Sequence, residues 1–188
     1  MKIDVMVYPV GHIRKPSAEE QRKILPNMIK ERIEVCDAVK LIKRGYVFCP
    51  GILENGISQE NWVSQQLFGV DVDNENYAEK HSVRDNIKLC EQLHFVPISI
   101  YGSFSYTYSN QKHHMLFLLD RPITDQNLQI RIQGTLNRIF GGDPGTLSAN
   151  HCFNGGPVNF FPNYYPSERH LIHPDSALFA SYEPIRIG

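Results

Sequence analysis

The stretch Leu67-Phe68-Gly69-Val70-Asp71-Val72-Asp73-Asn74-Glu75 constrains the fold more than any other part of the chain. Its β-branched and aromatic residues describe a buried strand, and two carboxylates interrupt it at alternate positions. Side chains alternate faces along a strand, so Phe68, Val70 and Val72 share one face while Asp71 and Asp73 share the other. Two anions this close repel each other unless something cationic lies between them, and hard carboxylate oxygens suit Mg²⁺ or Mn²⁺. The pattern points to metal-dependent phosphate chemistry. The competing reading is a strand that runs out into a polar turn, since Asp73-Asn74-Glu75-Asn76 is also turn composition. An Asp-x-Asp pair alone leaves the two even; its context separates them.

With 188 residues the chain is expected to form one domain over 1–188, an accessory α/β layer over 1–60 and a core over 61–188. A formal net charge of −1 argues against a protein that coats nucleic acid through bulk electrostatics, while leaving room for a local basic groove. No run approaches the roughly 20 apolar residues that span a bilayer. The opening Met1-Lys2-Ile3-Asp4 places charges inside its apolar run, unlike a signal peptide, so a cytoplasmic protein without a membrane partner is expected. Cys36, Cys49, Cys90 and Cys152 form no CxxC pair and read as buried reduced thiols. Cys90 and His94 share a helical spacing and could join Cys36 and Cys49, but structural zinc sites have tighter spacing and none is expected.

Residues 2–9 alternate as a strand. Ser17-Ala18-Glu19-Glu20 has the pattern of a capping box opening a helix. Pro26 interrupts it, and Ile29, Ile33, Cys36 and Val39 extend a helical apolar stripe to Gly45. Tyr46 to Cys49 reads as a short strand ended by Pro50-Gly51. Strand 67–73 follows, then a helix capped by Ser82 and Asp85 that runs to about His94, with Val83, Ile87 and Cys90 inward. Val96 to Tyr101 and His114 to Leu119 are strands, and Asp120-Arg121-Pro122 reads as a turn with an ion pair. Thr124-Asp125 caps a helix carrying Leu128, Ile132, Leu136 and Ile139, closed by Gly141-Gly142. Val158 to Phe161 is a last extended segment. From 67 onward the order is β-α-β-β-α-β, the ferredoxin-like split βαβ unit, so the fold class is α+β. In that unit the first and third strands are neighbours, which brings His113 or His114 beside Asp71 and Asp73.

Several segments together carry a resemblance: Arg44-Gly45-Tyr46-Val47-Phe48, Phe68 to Asp73, Lys112-His113-His114-Met115-Leu116-Phe117-Leu118-Leu119-Asp120-Arg121-Pro122-Ile123, and Ile139-Phe140-Gly141-Gly142-Asp143-Pro144. In these the chain resembles the archaeo-eukaryotic primase superfamily, in particular the primase-polymerase domains of phages, plasmids and other mobile elements. The resemblance implies an RRM-like catalytic palm. It implies that Asp71, Asp73 and Asp143 hold Mg²⁺ or Mn²⁺, and that His114 holds the phosphates of the incoming nucleotide, with His113 as its alternate because only one of the two can face the site. Lys112 adds positive charge near the triphosphate. His151, in His151-Cys152-Phe153-Asn154-Gly155-Gly156, stands where relatives carry an arginine.

The implied reaction is phosphoryl transfer by two ions about 3.5–4 Å apart. Its substrates are NTPs or dNTPs, its template single-stranded DNA, and its partner a separate helicase or other replication subunit. Three other readings compete. A rolling-circle replication endonuclease uses a similar sheet with a nucleophilic tyrosine, for which Tyr164 or Tyr165 is available, but requires two histidines on one strand face. A sugar-nucleotide transferase with Asp-x-Asp needs a larger nucleotide domain. A catalytically silent nucleic-acid module leaves three ordered carboxylates without a purpose. The aromatics of Tyr101 to Tyr108 and Phe160 to Tyr165 are candidates for base stacking or for packing.

Overall fold

Lys2 to Gly11 alternates apolar and polar residues and forms the first strand, β1, of a computed structural model that describes residues 1–74, 81–156 and 171–180. The helix α1 (Ala18–Ile24) starts at the expected capping box, with the Ser17 side chain accepting from Glu20 N–H and the Glu20 carboxylate accepting from Ser17 N–H at 2.7 Å. Beyond Pro26 the expected single helix is divided. Ile29–Glu34 is a strand, β2, paired antiparallel with β1 from Lys2↔Glu34 to Val7↔Ile29. Its lysine, arginine and glutamates suit an exposed sheet edge, and pairing with β1 overrides the helical period of its two isoleucines. Helix α2 (Val35–Lys43) takes up the rest of the stripe and buries Val35, Ala38, Val39 and Ile42. Strand β3 (Tyr46–Cys49) is where the sequence places it.

Strand β4 (Gly51–Leu53) opens a second sheet, followed by β5 (Trp62–Val72), α3 (Val83–Leu93), β6 (Ser99–Gly102), β7 (His113–Ile123) and α4 (Gln126–Phe140). β5 starts five residues before Leu67, and β6 starts later than Val96. β7 runs on through Asp120-Arg121-Pro122, because Ile123 pairs with Gln65 beyond a register shift. The turn expected there is therefore a strand end, and Arg121 pairs with Asp175 at 2.6 Å instead of with its neighbour. The short strands β8 (Phe153–Asn154) and β9 (Leu171–Ile172) and a helical turn, α5 (Ala177–Ala180), complete the described elements.

The first sheet has the order β2-β1-β3-β8 and the second β4-β5-β7-β6, with β9 parallel to β7. The run β5-α3-β6-β7-α4 with β7 between β5 and β6 is the split βαβ arrangement, and the fold is α+β with antiparallel sheets. The segment Val158 to Phe161 lies outside the described residues; the place beside β5 is taken by β4. The sheets exchange short strands, since β4 precedes residue 60 yet joins the second sheet and β8 joins the first.

Strand alternation sorts the core into two sides. Phe68, Val70, Val72, Met115 and Phe117 face the helices, packing with Cys90 of α3 and Ile132, Leu136 and Phe140 of α4. Leu67, Leu116, Leu118 and Tyr101 face the other way, toward Ile3, Val5, Phe48 and α2. Each fully buried large apolar side chain contributes about 1.5–3 kcal/mol. Cys49 lies in a third cluster with Met6, Ile24 and Val47, apart from Cys90. No helix among the described residues is long and apolar enough to cross a membrane.

Candidate active site

The pairing of β5 with β7 fixes the site. Asp71 lies opposite His114 and Val72 opposite His113, so one histidine shares the Asp71 face and the other shares the core face. His114 Nε2 lies 3.1 Å from Asp71 Oδ1. Just beyond the strand ends, Lys112 Nζ lies 2.7 Å from Asp73 Oδ1. A carboxylate–imidazole pair and a carboxylate–ammonium pair thus stand side by side at the end of two central strands.

His113 is held on the opposite face. Its Nδ1 donates to the Gln111 carbonyl at 2.7 Å, and its Nε2 receives the Asn86 amide at 3.1 Å. Burial pushes its pKa down to about 4, against a smaller upward pull from that carbonyl, so it is neutral at pH 7. His113 and His114 do not share a face, whereas a rolling-circle endonuclease would require two histidines that do; Tyr164 and Tyr165 lie outside the described residues.

Asp143 reaches the pair through the backbone. Gly141, with φ of 69°, ends α4 in the left-handed conformation, and the chain turns back so that Asp143 N–H donates to the Asp71 carbonyl at 2.8 Å. The Asp143 carboxylate accepts from Gly145 N–H at 2.8 Å, capping the 3-10 turn Pro144–Leu147. This is the turn-forming role open to any aspartate in Gly-Gly-Asp-Pro. Its place beside Asp71 is additional to that role.

His151 closes the other side. Burial pushes its pKa below the ordinary value; Asp71 and Asp143 pull it up without overcoming burial, and His114 depresses it further. It stands as a neutral imidazole at pH 7, where the resemblance implies a cation. Its ring meets Phe153 edge-on at 4.9 Å, and Phe153 in turn meets His114 at 5.6 Å. Asp71 itself is under opposing forces. Burial raises its pKa, but His114, through charge and hydrogen bond, and then His151 and Lys15 more than offset this and hold it below the usual carboxylate range. Tyr101 packs on His114 with ring centres 4.9 Å apart. Burial and the Asp71 charge push its phenol up, so it stays protonated and donates to the Asn154 carbonyl at 3.3 Å. Tyr106 and Tyr108 sit farther out, and Tyr108 is exposed.

Sequence reasoning missed the amides that hold these strands. Gln133 on α4 donates to the Gly69 carbonyl at 2.7 Å and to Asn137 Oδ1 at 3.0 Å, and Asn137 donates to the Asp143 carbonyl at 3.1 Å and to Thr146 at 2.8 Å. Asn74, buried with φ of 58°, bonds both the N–H and the carbonyl of His81 and the carbonyl of Gln111. The spacing of Gln129, Gln133 and Asn137 by four on an otherwise apolar helix face was the available signal.

The donors suit a hard divalent cation: Asp71 and Asp73 offer carboxylate oxygens on one face, and Asp143 is tied to the Asp71 backbone. Among the described residues no three His, Cys, Asp or Glu side chains converge as a closed ligand cage. Mg²⁺ needs none, since it is commonly held by one or two carboxylates with water and substrate phosphates. The residues therefore fit a cation shared with a phosphate-bearing substrate.

No family model matches the sequence, and no curated protein matches it. Among solved structures the chain is similar to the AEP domain of the cyanophage S-2L primase-polymerase, with a TM-score of 0.45 and 12% sequence identity, over 92% of this chain and 84% of that one.

Proposed function

We propose that this chain is a primase-polymerase: a nucleotidyltransferase that joins nucleoside triphosphates into short RNA or DNA strands on a single-stranded DNA template, using Mg²⁺ or Mn²⁺. The observation that carries the reading is the pair of adjacent contacts Asp71–His114 and Asp73–Lys112 at the ends of β5 and β7. Each joins a group suited to a metal to a group suited to a phosphate. With a metal–triphosphate complex bound, the carboxylates would take the cation, and the imidazole and ammonium would take the phosphates.

Asp71 and Asp73 would hold the metal, and Asp143, tied to the Asp71 backbone, is the third carboxylate that the resemblance implies. Bound there, the metal would stabilise the charge that develops on the attacking hydroxyl and on the departing pyrophosphate. His114 Nε2–H and the Lys112 ammonium orient the triphosphate by donating to its oxygens. The amides of Gln133, Asn137 and Asn74 keep the strand ends and the Asp143 turn fixed, so the donors need no reorganisation when substrate arrives. His151, neutral, lends a hydrogen bond without a full charge. A separate helicase or other replication partner, in a phage, plasmid or other mobile element, accords with the resemblance.

The test is synthesis and extension on single-stranded DNA with labelled NTPs or dNTPs, comparing Mg²⁺ with Mn²⁺. Metal-dependent product, absent in the Asp71→Ala/Asp73→Ala double variant, is the expected result. Product that persists in that variant would refute the metal assignment. An intact wild type that neither binds metal nor makes product would favour a silent nucleic-acid module.

A further inference from the structure

Beside the carboxylates lies a cleft that the transfer chemistry leaves unused. It has a volume of about 390 Å³ and opens between α1 and the segment from Gly145 to Asn154, lined by Gln21, Ile24, Val47, Ser148, His151 and Asn154 among others. This size falls in the range of about 300–1,000 Å³ typical of small-ligand sites. His151 is shared between the cleft and the site, because its ring is coupled electrostatically to Asp71, His114 and Asp143. Gly145, whose N–H the Asp143 carboxylate caps, is also part of the wall.

The lining contains no lysine, arginine, aspartate or glutamate among the described residues. A triphosphate or a nucleic-acid backbone calls for cations and N–H donors, and the Lys112 ammonium and the His114 imidazole stand outside this lining, at Asp73 and Asp71. The cleft offers amides and aliphatic surface instead. Two of its three side-chain amides, Gln21 and Asn154, are uncommitted to different degrees. The Asn154 side chain has no hydrogen-bond partner among the described residues, and Gln21 makes one long contact, 3.4 Å to the Pro16 carbonyl. By contrast Asn150 is locked, donating to the Ile57 carbonyl at 2.8 Å and bonded at Oδ1 by Ser148, which also reaches Gln59 at 2.8 Å. The wall is thus rigid while Gln21 and Asn154 keep a donor and an acceptor each to present. Asparagine and glutamine amides match the paired donor and acceptor of a nucleobase edge, and Ile24 and Val47 supply the apolar surface a base needs.

We infer that this cleft receives the uncharged nucleoside part of the nucleotide whose phosphates lie at His114 and Lys112, with Gln21 and Asn154 contacting its base or sugar. The inference rests on the nucleotidyl-transfer reading and adds to it the wall that recognises the substrate. It assigns to α1, from the accessory layer, a direct part in substrate binding.

The test uses the full chain, ¹⁵N-labelled, with three probes: ribonucleoside triphosphates with Mg²⁺, inorganic tripolyphosphate with Mg²⁺, and oligodeoxythymidylate. The side-chain amide signals of Gln21 and Asn154 are expected to shift with the nucleoside triphosphates and not with tripolyphosphate. In the Gln21→Ala/Asn154→Ala variant the Kd for nucleoside triphosphate is expected to rise about tenfold, as for two lost hydrogen bonds, with tripolyphosphate affinity unchanged. If nucleotide affinity is unaltered and the amides stay silent while tripolyphosphate competes, the cleft assignment is overturned and the transfer reading stands. Shifts caused by the oligonucleotide alone would give the cleft to the template and overturn the assignment as well. If the wild type binds neither triphosphate, the transfer reading itself fails, and this inference with it. The shifts in the wild-type chain need no variant to fold.

Discussion

Acidification should unfold this protein through a histidine that takes no part in the proposed chemistry. His113 is buried, and its folded pKa of about 4 lies below the ordinary 6.5. Between those values the unfolded chain takes up a proton that the folded chain refuses, so stability is complete above about pH 6.5 and declines as pH falls toward 4. A depression of this size corresponds to about 3 kcal/mol over the whole window, of which about 2 kcal/mol is gone by pH 5. With a urea dependence of about 1–3 kcal/mol per molar, the unfolding midpoint should drop by roughly 1 M between pH 7 and pH 5. His113→Gln keeps one acceptor for Asn86 and one donor for the Gln111 carbonyl but cannot titrate, so most of this drop should vanish. His151, also depressed, pulls the same way in both chains. Asp71, held below its ordinary value, stabilises the fold above about pH 4 and loses that contribution only at lower pH. The comparison therefore isolates His113. Parallel pH dependence in the wild type and His113→Gln would refute the reasoning.

Other perturbations probe the site itself. His114→Ala and Lys112→Ala should each raise the apparent nucleotide KM more than they lower kcat, read by steady-state extension at varied NTP; unchanged KM in both would remove them from phosphate binding. Asp71→Asn should abolish synthesis while thermal melting at pH 7 shows at most a modest loss, because the amide can still bond His114; a collapse of the fold would mean that the carboxylate is chiefly structural. Gly69→Ala should destabilise the protein by about 1–3 kcal/mol, since an added Cβ would lie 2.6 and 2.8 Å from Phe153 Cε2 and Cε1, and a midpoint equal to the wild type in urea would contradict that packing.

The Asp71/Asp73 face, the adjacency of β5 and β7, and the caps at Ser17, Ser82 and Asp125 were legible because each depends on local pattern: alternation, side-chain oxygens at helix starts, and connection order. Which histidine faces Asp71 was not, since two adjacent histidines on a strand are equivalent until the register is set by the whole β5–β7 ladder. Ile29 to Glu34 misled for a related reason. Its isoleucines fit a helix, and only its partner strand, whose pairing runs back to Lys2, makes it an edge strand. Lys15, which bears on Asp71 from the far end of the chain, has no local signature of its role, and Gln133, which grips the Gly69 carbonyl, is marked only by its spacing of four from Gln129 and Asn137.

The amides bear on why the carboxylates can stand so close. Asp71 and Asp73 on one face gain nothing from each other, and a strand end free to fray would separate them. Fraying is opposed from three directions. Gln133 holds β5 at Gly69, the Asp143 N–H holds it at the Asp71 carbonyl, and Asn74 ties the segment beyond Asp73 to His81 and Gln111. All but the Asp143 N–H are side-chain bonds, and all four lie outside the sheet ladder, so they act where the ladder ends. Removing Asn137, which joins Gln133 to the Asp143 turn, should therefore loosen the Asp71–Asp143 juncture before it loosens the sheet. Hydrogen exchange of Asp143 N–H in Asn137→Ala measures this: faster exchange there, with the Leu116 and Phe117 amides still protected, is the expected pattern. Uniform loss of protection along β7 would instead make the amides part of the core's global stability.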